Sequence, residues 1–321
     1  MARRYSWFCN LRKNSSDPLP EMPEEDSITD REPAHVQIAP YDVILAPGEQ
    51  QKFQIRVFNE RGQLLEHTTQ GIEPASDGPG DIVDVSIRDF TYQAPDEKEH
   101  QAALITCKVG DVTGTARLRI VPPLPWKFDF NDVDDVPLTW IGGRVRYEVR
   151  EVPDNNDEQM IVKKSVLPTP RNPNNKLGTR SQMFMGPIDL EDYTIQADVQ
   201  LVDNNGKLSD VGLINSRYYM TLRGQTGELR TDSWPPHDFR THESIDFDFE
   251  PGEWYTMKLT VVPDGDTTTV CGKLWKRGEV EPDDWTIEMV DHAPNLHGSP
   301  GLYGHASDAE IYIDNLTVTP N

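Results

Sequence analysis

Apolar side chains recur at every second position along most of this chain. Tyr193, Ile195, Ala197, Val199 and Leu201 alternate with Thr194, Gln196, Asp198 and Gln200. A repeat of two is the period of a β-strand, because successive side chains leave the backbone on opposite faces. The same alternation marks Phe53, Ile55 and Val57, then Ala116, Leu118 and Ile120 between arginines, then Met257, Leu259 and Val261. Turn-forming residues separate these runs, at Pro47-Gly48, Asn59-Glu60-Arg61-Gly62, Asp203-Asn204-Asn205-Gly206 and Asp264-Gly265-Asp266. Leu64-Leu65 begins a further strand. No helical period of useful length occurs, so the pattern predicts an all-β fold.

The spacing of these runs divides the chain into three. Residues 1–34 form a disordered leader, since Pro, Ser and acidic residues dominate 12–34 and nothing alternates. Residues 35–122 hold about seven short strands, with a Gly/Pro/Asp-rich loop at 70–82, which is the rhythm of an Ig-like β-sandwich. Val121-Pro122-Pro123-Leu124-Pro125 reads as a stiff linker, because proline fixes φ. Residues 123–321 hold a dozen or more strands, the density of a jelly-roll sandwich. They close with Gly252-Glu253-Trp254-Tyr255, Gly298-Ser299-Pro300-Gly301 and the Ile311-x-Ile313 strand.

Two family resemblances accompany this reading. Val36-x-Ile38, Leu45-Ala46-Pro47-Gly48, the Phe53-to-Val57 strand and Gly114-Thr115-Ala116-Arg117-Leu118 resemble the bacterial Ig-like (group 2) domain. That family's central Trp-Ser-Ser is missing. The later stretch carries Trp126-Lys127-Phe128-Asp129-Phe130, Trp140-Ile141-Gly142-Gly143-Arg144, Trp254-Tyr255-Thr256-Met257 and Leu302-Tyr303-Gly304. It resembles the concanavalin A-like, laminin G-like sandwiches, and more closely the C-terminal region of exported PQQ-like β-propeller proteins. No propeller repeats precede it here, so the resemblance implies no quinone cofactor. It implies a spacer or binding module at the cell envelope, in a periplasmic or extracellular compartment. No signal peptide is legible at the N-terminus, and a truncated gene is the alternative expectation.

Charge narrows the partners. The net charge of −23 repels phosphate backbones, which argues against nucleic acid. No apolar run is long enough for a membrane span, so no membrane insertion is expected. The three cysteines, Cys9, Cys107 and Cys271, lack metal-site spacing. Cys107 and Cys271 fall in strand patterns and are expected as buried free thiols.

Candidate chemistry is sparse. The loop Trp234-Pro235-Pro236-His237-Asp238-Phe239-Arg240 combines aromatic, imidazole and guanidinium groups, with Tyr218, Tyr219 and Arg223 nearby in sequence. A sugar ring needs flat apolar surface flanked by polar groups, so Tyr218, Tyr219, Arg223, Trp234, His237 and Arg240 form a candidate glycan site. The alternative is a loop pinned by one buried Trp. Asp129, Asn131 and Asp132, with Asp314, form an oxygen-rich set suited to a structural calcium, the alternative being a solvated turn. Asp246-Phe247-Asp248-Phe249-Glu250 places three carboxylates on one face of a strand. Positions i and i+4 of a strand stand about 13 Å apart, against the ~5 Å of a retaining glycosidase, so a solvated face is expected. The reading is a non-catalytic accessory module for glycans or other envelope components. A glycoside hydrolase-like sandwich and a purely structural fragment of a longer propeller protein are the alternatives.

Overall fold

The computed structural model describes residues 28–65, 71–153, 155–165, 179–233 and 241–321, with the backbone alone at 155–157. Every named element among them is a β-strand, and the fold is all-β. Residues 1–27, most of the expected leader, lie outside the described residues.

The first half contains β1 (His35–Ala39), β2 (Asp42–Leu45), β3 (Gln50–Phe58), β4 (Ile72–Ser76), β5 (Asp81–Val83), β6 (Asp89–Gln93), β7 (Gln101–Val109) and β8 (Val112–Ile120). They build two four-stranded sheets, β1-β3-β6-β5 and β2-β8-β7-β4. The β2–β8 pair is parallel. Alternation sets what lies between the sheets: Phe53, Ile55 and Val57 of β3 are buried while Gln54 and Arg56 are exposed. Phe53 stacks on Phe90 at 5.3 Å, and Tyr92, Ile105, Cys107 and Leu118 complete the core. Both Cys107 and Cys271 are buried free thiols, and burial pushes each pKa up to about 11.

One expectation changes here. The stretch 70–82 is not a plain loop, since it contributes β4 and β5. Pro74 conceals β4, but this strand lies at a sheet edge, where ladder donors are needed on one side only. Leu64 makes only an isolated bridge to Phe58 before the described chain breaks off at 65.

The second half contains β9 (Trp126–Phe128), β10 (Tyr147–Val152), β11 (Asn155–Lys163), β12 (Arg180–Phe184), β13 (Tyr193–Leu201), β14 (Asp210–Asn215), β15 (Tyr218–Arg223) and β16 (Glu228–Asp232). It continues with β17 (His242–Asp246), β18 (Trp254–Asp264), β19 (Thr267–Lys276), β20 (Ile287–Asp291), β21 (Gly301–His305) and β22 (Ile311–Pro320). The larger sheet runs β10-β11-β22-β13-β18-β19-β20, with β9 beside β22. The six-stranded sheet runs β12-β21-β14-β15-β16-β17. Ile195, Val199, Met257 and Leu259 from the first sheet bury against a core that includes Leu213, Met220, Leu222 and Leu302 from the second. Gly272 on β19 leaves room for the Met220 thioether, which a Cβ there would strike.

The proline-rich segment is not a free linker either. Val121 and Pro122 are buried, the Val121 N–H donates to Leu45 O at 2.9 Å, and Trp126 Nε1 donates to Pro122 O at 2.8 Å. Apolar Val121 and Trp126 are drawn into the core that a solvated linker would leave them outside. His100 of the first half sits against Trp126 and Phe128, with ring centroids 5.2 and 5.0 Å away. Burial pushes its pKa down to about 4, so it is neutral at physiological pH.

Candidate functional site

The outer face of the six-stranded sheet carries the candidate site. Alternation along β15 sends Tyr218, Met220 and Leu222 into the core and leaves Tyr219, Thr221 and Arg223 facing outward. Cross-strand register then assembles a row from residues far apart in sequence. Gln182 pairs with Tyr303, Tyr303 with Gly212, Gly212 with Thr221, Thr221 with Arg230, and Arg230 with Ser244. A second row sets His305 beside Arg180 and Asp210, with Arg223 and Glu228 following.

These rows line a groove of about 480 Å³ formed by Arg180, Ser181, Gln182, Asp210, Tyr219, Thr221, Arg223, Arg230, Asp232 and Tyr303. Gly212 stands between Tyr303 and Thr221 in the first row, where a Cβ would come within 2.5 Å of Met220 O and 2.9 Å of Thr221 Oγ1. Tyr219 and Tyr303 meet edge to face, with centroids 6.0 Å apart at 88°. Gln182 Nε2 donates to the Tyr219 hydroxyl at 2.8 Å, which fixes that ring.

Most of the charged groups are held by neighbours. Arg230 donates through Nε and Nη2 to Asp232, at 3.0 and 2.7 Å. Arg223 Nη1 donates to Glu228 at 2.7 Å. Asp210 accepts the Gly224 N–H at 3.1 Å and lies 3.4 Å from His305 Nδ1. Such half-exposed pairs contribute little stability, but they orient the side chains. The Tyr303 phenol feels the whole set. Burial raises its pKa, Arg180 and Arg223 lower it, and Asp210 and Asp232 raise it further.

The residues anticipated from sequence divide three ways. Tyr219 and Arg223 line the groove. Tyr218 points the other way: it is fully buried, its hydroxyl donates to Asp291 Oδ2 at 2.8 Å and accepts the Asn295 N–H at 2.9 Å. It is a strut of the core, and burial raises its pKa. Trp234, His237 and Arg240 lie outside the described residues.

The calcium set does not assemble. Among the described residues no three His, Cys, Asp or Glu side chains gather to hold a metal ion. Asp129 lies 3.9 Å from Lys127, Asn131 Oδ1 accepts the Gln159 N–H at 2.8 Å, and Asp132 is exposed. Asp314 is buried, 3.6 Å from Arg277.

The acidic stretch also departs from a plain strand. β17 ends at Asp246, and Phe247 and Phe249 turn toward Tyr255, at 6.3 and 6.5 Å. Asp248 and Glu250 are exposed, and Glu250 lies 3.1 Å from Lys276. Neither lines the groove.

Sequence reasoning missed Arg180, Gln182, Asp210, Thr221, Arg230, Asp232 and Tyr303. Their signal was the outward-facing half of each alternating strand. No helix among the described residues is long and apolar enough to cross a membrane.

No protein-family model matches the chain, and no curated protein matches it. Solved structures share its β-sandwich outline at low identity. Carbohydrate-binding module CBM66 from Bacillus subtilis is 14% identical, over 56% of this chain and 95% of that one, with a TM-score of 0.38. Lectin II from Ulex europaeus is 11% identical, over 62% and 98%, with a TM-score of 0.35. An endo-1,3-beta-glucanase from Streptomyces sioyaensis is 7% identical, over 63% and 99%, with a TM-score of 0.39.

Proposed function

We propose that this chain is a non-catalytic carbohydrate-binding module whose ligand lies in the groove on the six-stranded sheet. The observation that carries the reading is the groove's lining: two tyrosines and convergent polar groups in about 480 Å³. That volume suits a small ligand. The half-buried Tyr303 ring can pack against the C–H face of a sugar ring, while Gln182, Asp210, Asp232 and the arginines offer hydroxyls both donors and acceptors. The two cores support a division into an N-terminal spacer unit and a C-terminal binding unit. The parallel β2–β8 pair suits the bacterial Ig-like assignment of the first. Attachment to an exported propeller protein, and a periplasmic or extracellular location at the cell envelope, belong to the same proposal.

Glycan-array screening of the whole chain, followed by calorimetry, tests it. Tyr303→Ala is expected to weaken the bound glycan about tenfold, or ~1.4 kcal/mol, with little change in melting temperature. Uniform failure to bind any glycan, or binding that Tyr303→Ala leaves untouched, removes the groove as the ligand site.

A further inference from the structure

Arg180 differs from the other arginines of the groove. Arg223 and Arg230 are occupied by Glu228 and Asp232 at 2.7 Å each. Arg180 stands on β12, the edge strand of the sheet, is exposed, and has no ion pair among the described residues. It nevertheless lines the groove, and its charge acts on the Tyr303 phenol. A guanidinium presents a planar fork of donors that matches a carboxylate with two parallel bonds.

The surroundings limit how much negative charge can enter. Asp210 and Asp232 line the same groove, and the whole chain carries −23. A densely charged polyanion would meet repulsion from both. At physiological salt the distant charges are screened beyond about 8 Å, so the groove's own charges decide. One cation at the sheet edge, without an ion pair among the described residues and with the Asp210 and Asp232 carboxylates on strands to one side of it, accommodates one anionic group. The carboxylates then serve as acceptors for the hydroxyls of uncharged neighbours.

We infer that the groove selects glycans bearing an isolated carboxylate, a uronic-acid-type sugar set among neutral ones, with Arg180 as the anion-binding residue. This rests on the carbohydrate reading of the same groove. Gln182 and Tyr303, in register on adjacent strands, hold the sugar beside it.

The test uses the full chain against gluco-, galacto-, manno- and xylo-oligosaccharides. Each backbone is offered neutral, with one glucuronic acid, with one sulfate, and as a fully uronate chain. Single-carboxylate ligands are expected to bind at least tenfold tighter than their neutral counterparts. Arg180→Gln is expected to bring the ratio of acidic to neutral affinity down to about one, and Arg180→Lys to retain part of the preference. A thermal melt confirms that these exposed edge-strand variants fold. Equal binding of neutral and acidic members overturns this inference and leaves the carbohydrate reading standing. So does preference for sulfate or for the fully charged chain, or a preference that survives Arg180→Gln. Binding of no member of any kind overturns both.

Discussion

Two charged clusters of the second sandwich, one on each outer face, differ in how far they are closed off from solvent. On the six-stranded sheet, charged groups stand in open rows around a groove. On the larger sheet one pair of carboxylates is sealed. Val152, Met160 and Val162 form a second, small apolar cluster there, packed by Trp254 and Tyr312. Beside it Asp198 and Asp314 are buried, to 7% and 3% exposure. Arg277 closes over both, with Nε 3.1 Å from Asp198 and Nη2 3.6 Å from Asp314. Its guanidinium stacks 5.3 Å above the Trp254 ring. Thr256 Oγ1 and Asn315 Nδ2 donate to Asp198 at 2.6 and 3.0 Å. Polar groups satisfied by one another hold a sheet together, whereas polar groups left facing solvent can serve a ligand. The contrast separates stability residues from recognition residues on one domain.

The sharpest break of that contrast is Arg277→Ala. Removing the cation strands two buried carboxylates, and losing one partner of a buried ion pair costs more than the pair contributes. Because Arg277 is partly exposed, the expected loss is about 3 kcal/mol, read by urea unfolding, with no change in ligand affinity. A loss confined to ligand affinity would falsify the assignment of roles to the two faces.

Asp314 sharpens the same point through pH. Burial raises its pKa to about 6, against the pull of the Asn315 N–H and Arg277 and with a further push from Asp198 and Glu158. Between about pH 4 and 6 the folded protein keeps a proton that the unfolded chain has released. This group's contribution therefore falls as pH rises through that window, and its cost is fully present above pH 6. Asp314→Asn is expected to flatten that slope and to gain about 2 kcal/mol at pH 7. Urea midpoints at pH 4, 5, 6 and 7 check it. A slope unchanged in the variant means the proton resides elsewhere.

The same contrast explains what the sequence disclosed. Strand period is written locally, so β13 and β18 were legible from their own residues. Pro74 and the Gly78-Pro79-Gly80 turn interrupted that local signal and hid β4 and β5. The groove is a register property. Gln182, Tyr303, Thr221 and Arg230 become neighbours only once four strands are paired, and nothing in any one segment announces it. Tyr218 and Tyr219 show what period two could still have decided. Tyr218 shares its parity with Met220 and Leu222, the apolar side of β15, while Tyr219 shares its own with Thr221 and Arg223. Reading both as ligand residues ignored the alternation that identified the strand. The oxygen-rich 129–132 turn misled in a similar way, because composition says nothing about whether oxygens converge.

The smallest expected effect concerns Asp248 and Glu250. They are the carboxylates most like a hydrolase pair in sequence, yet both face solvent outside the groove. Glycoside cleavage needs two carboxyl groups flanking one bond, about 5 Å apart for retention or about 6.5–9.5 Å for inversion, with one pKa raised to serve as the acid. Glu250 is instead engaged by Lys276 at 3.1 Å, an exposed pair that contributes little. The double variant Asp248→Asn, Glu250→Gln is therefore expected to melt and to bind glycan as the parent does. Bound oligosaccharides incubated with the parent are expected to keep their length on chromatography. Shortened products that vanish in the double variant would move the working surface off the groove and onto the segment after β17.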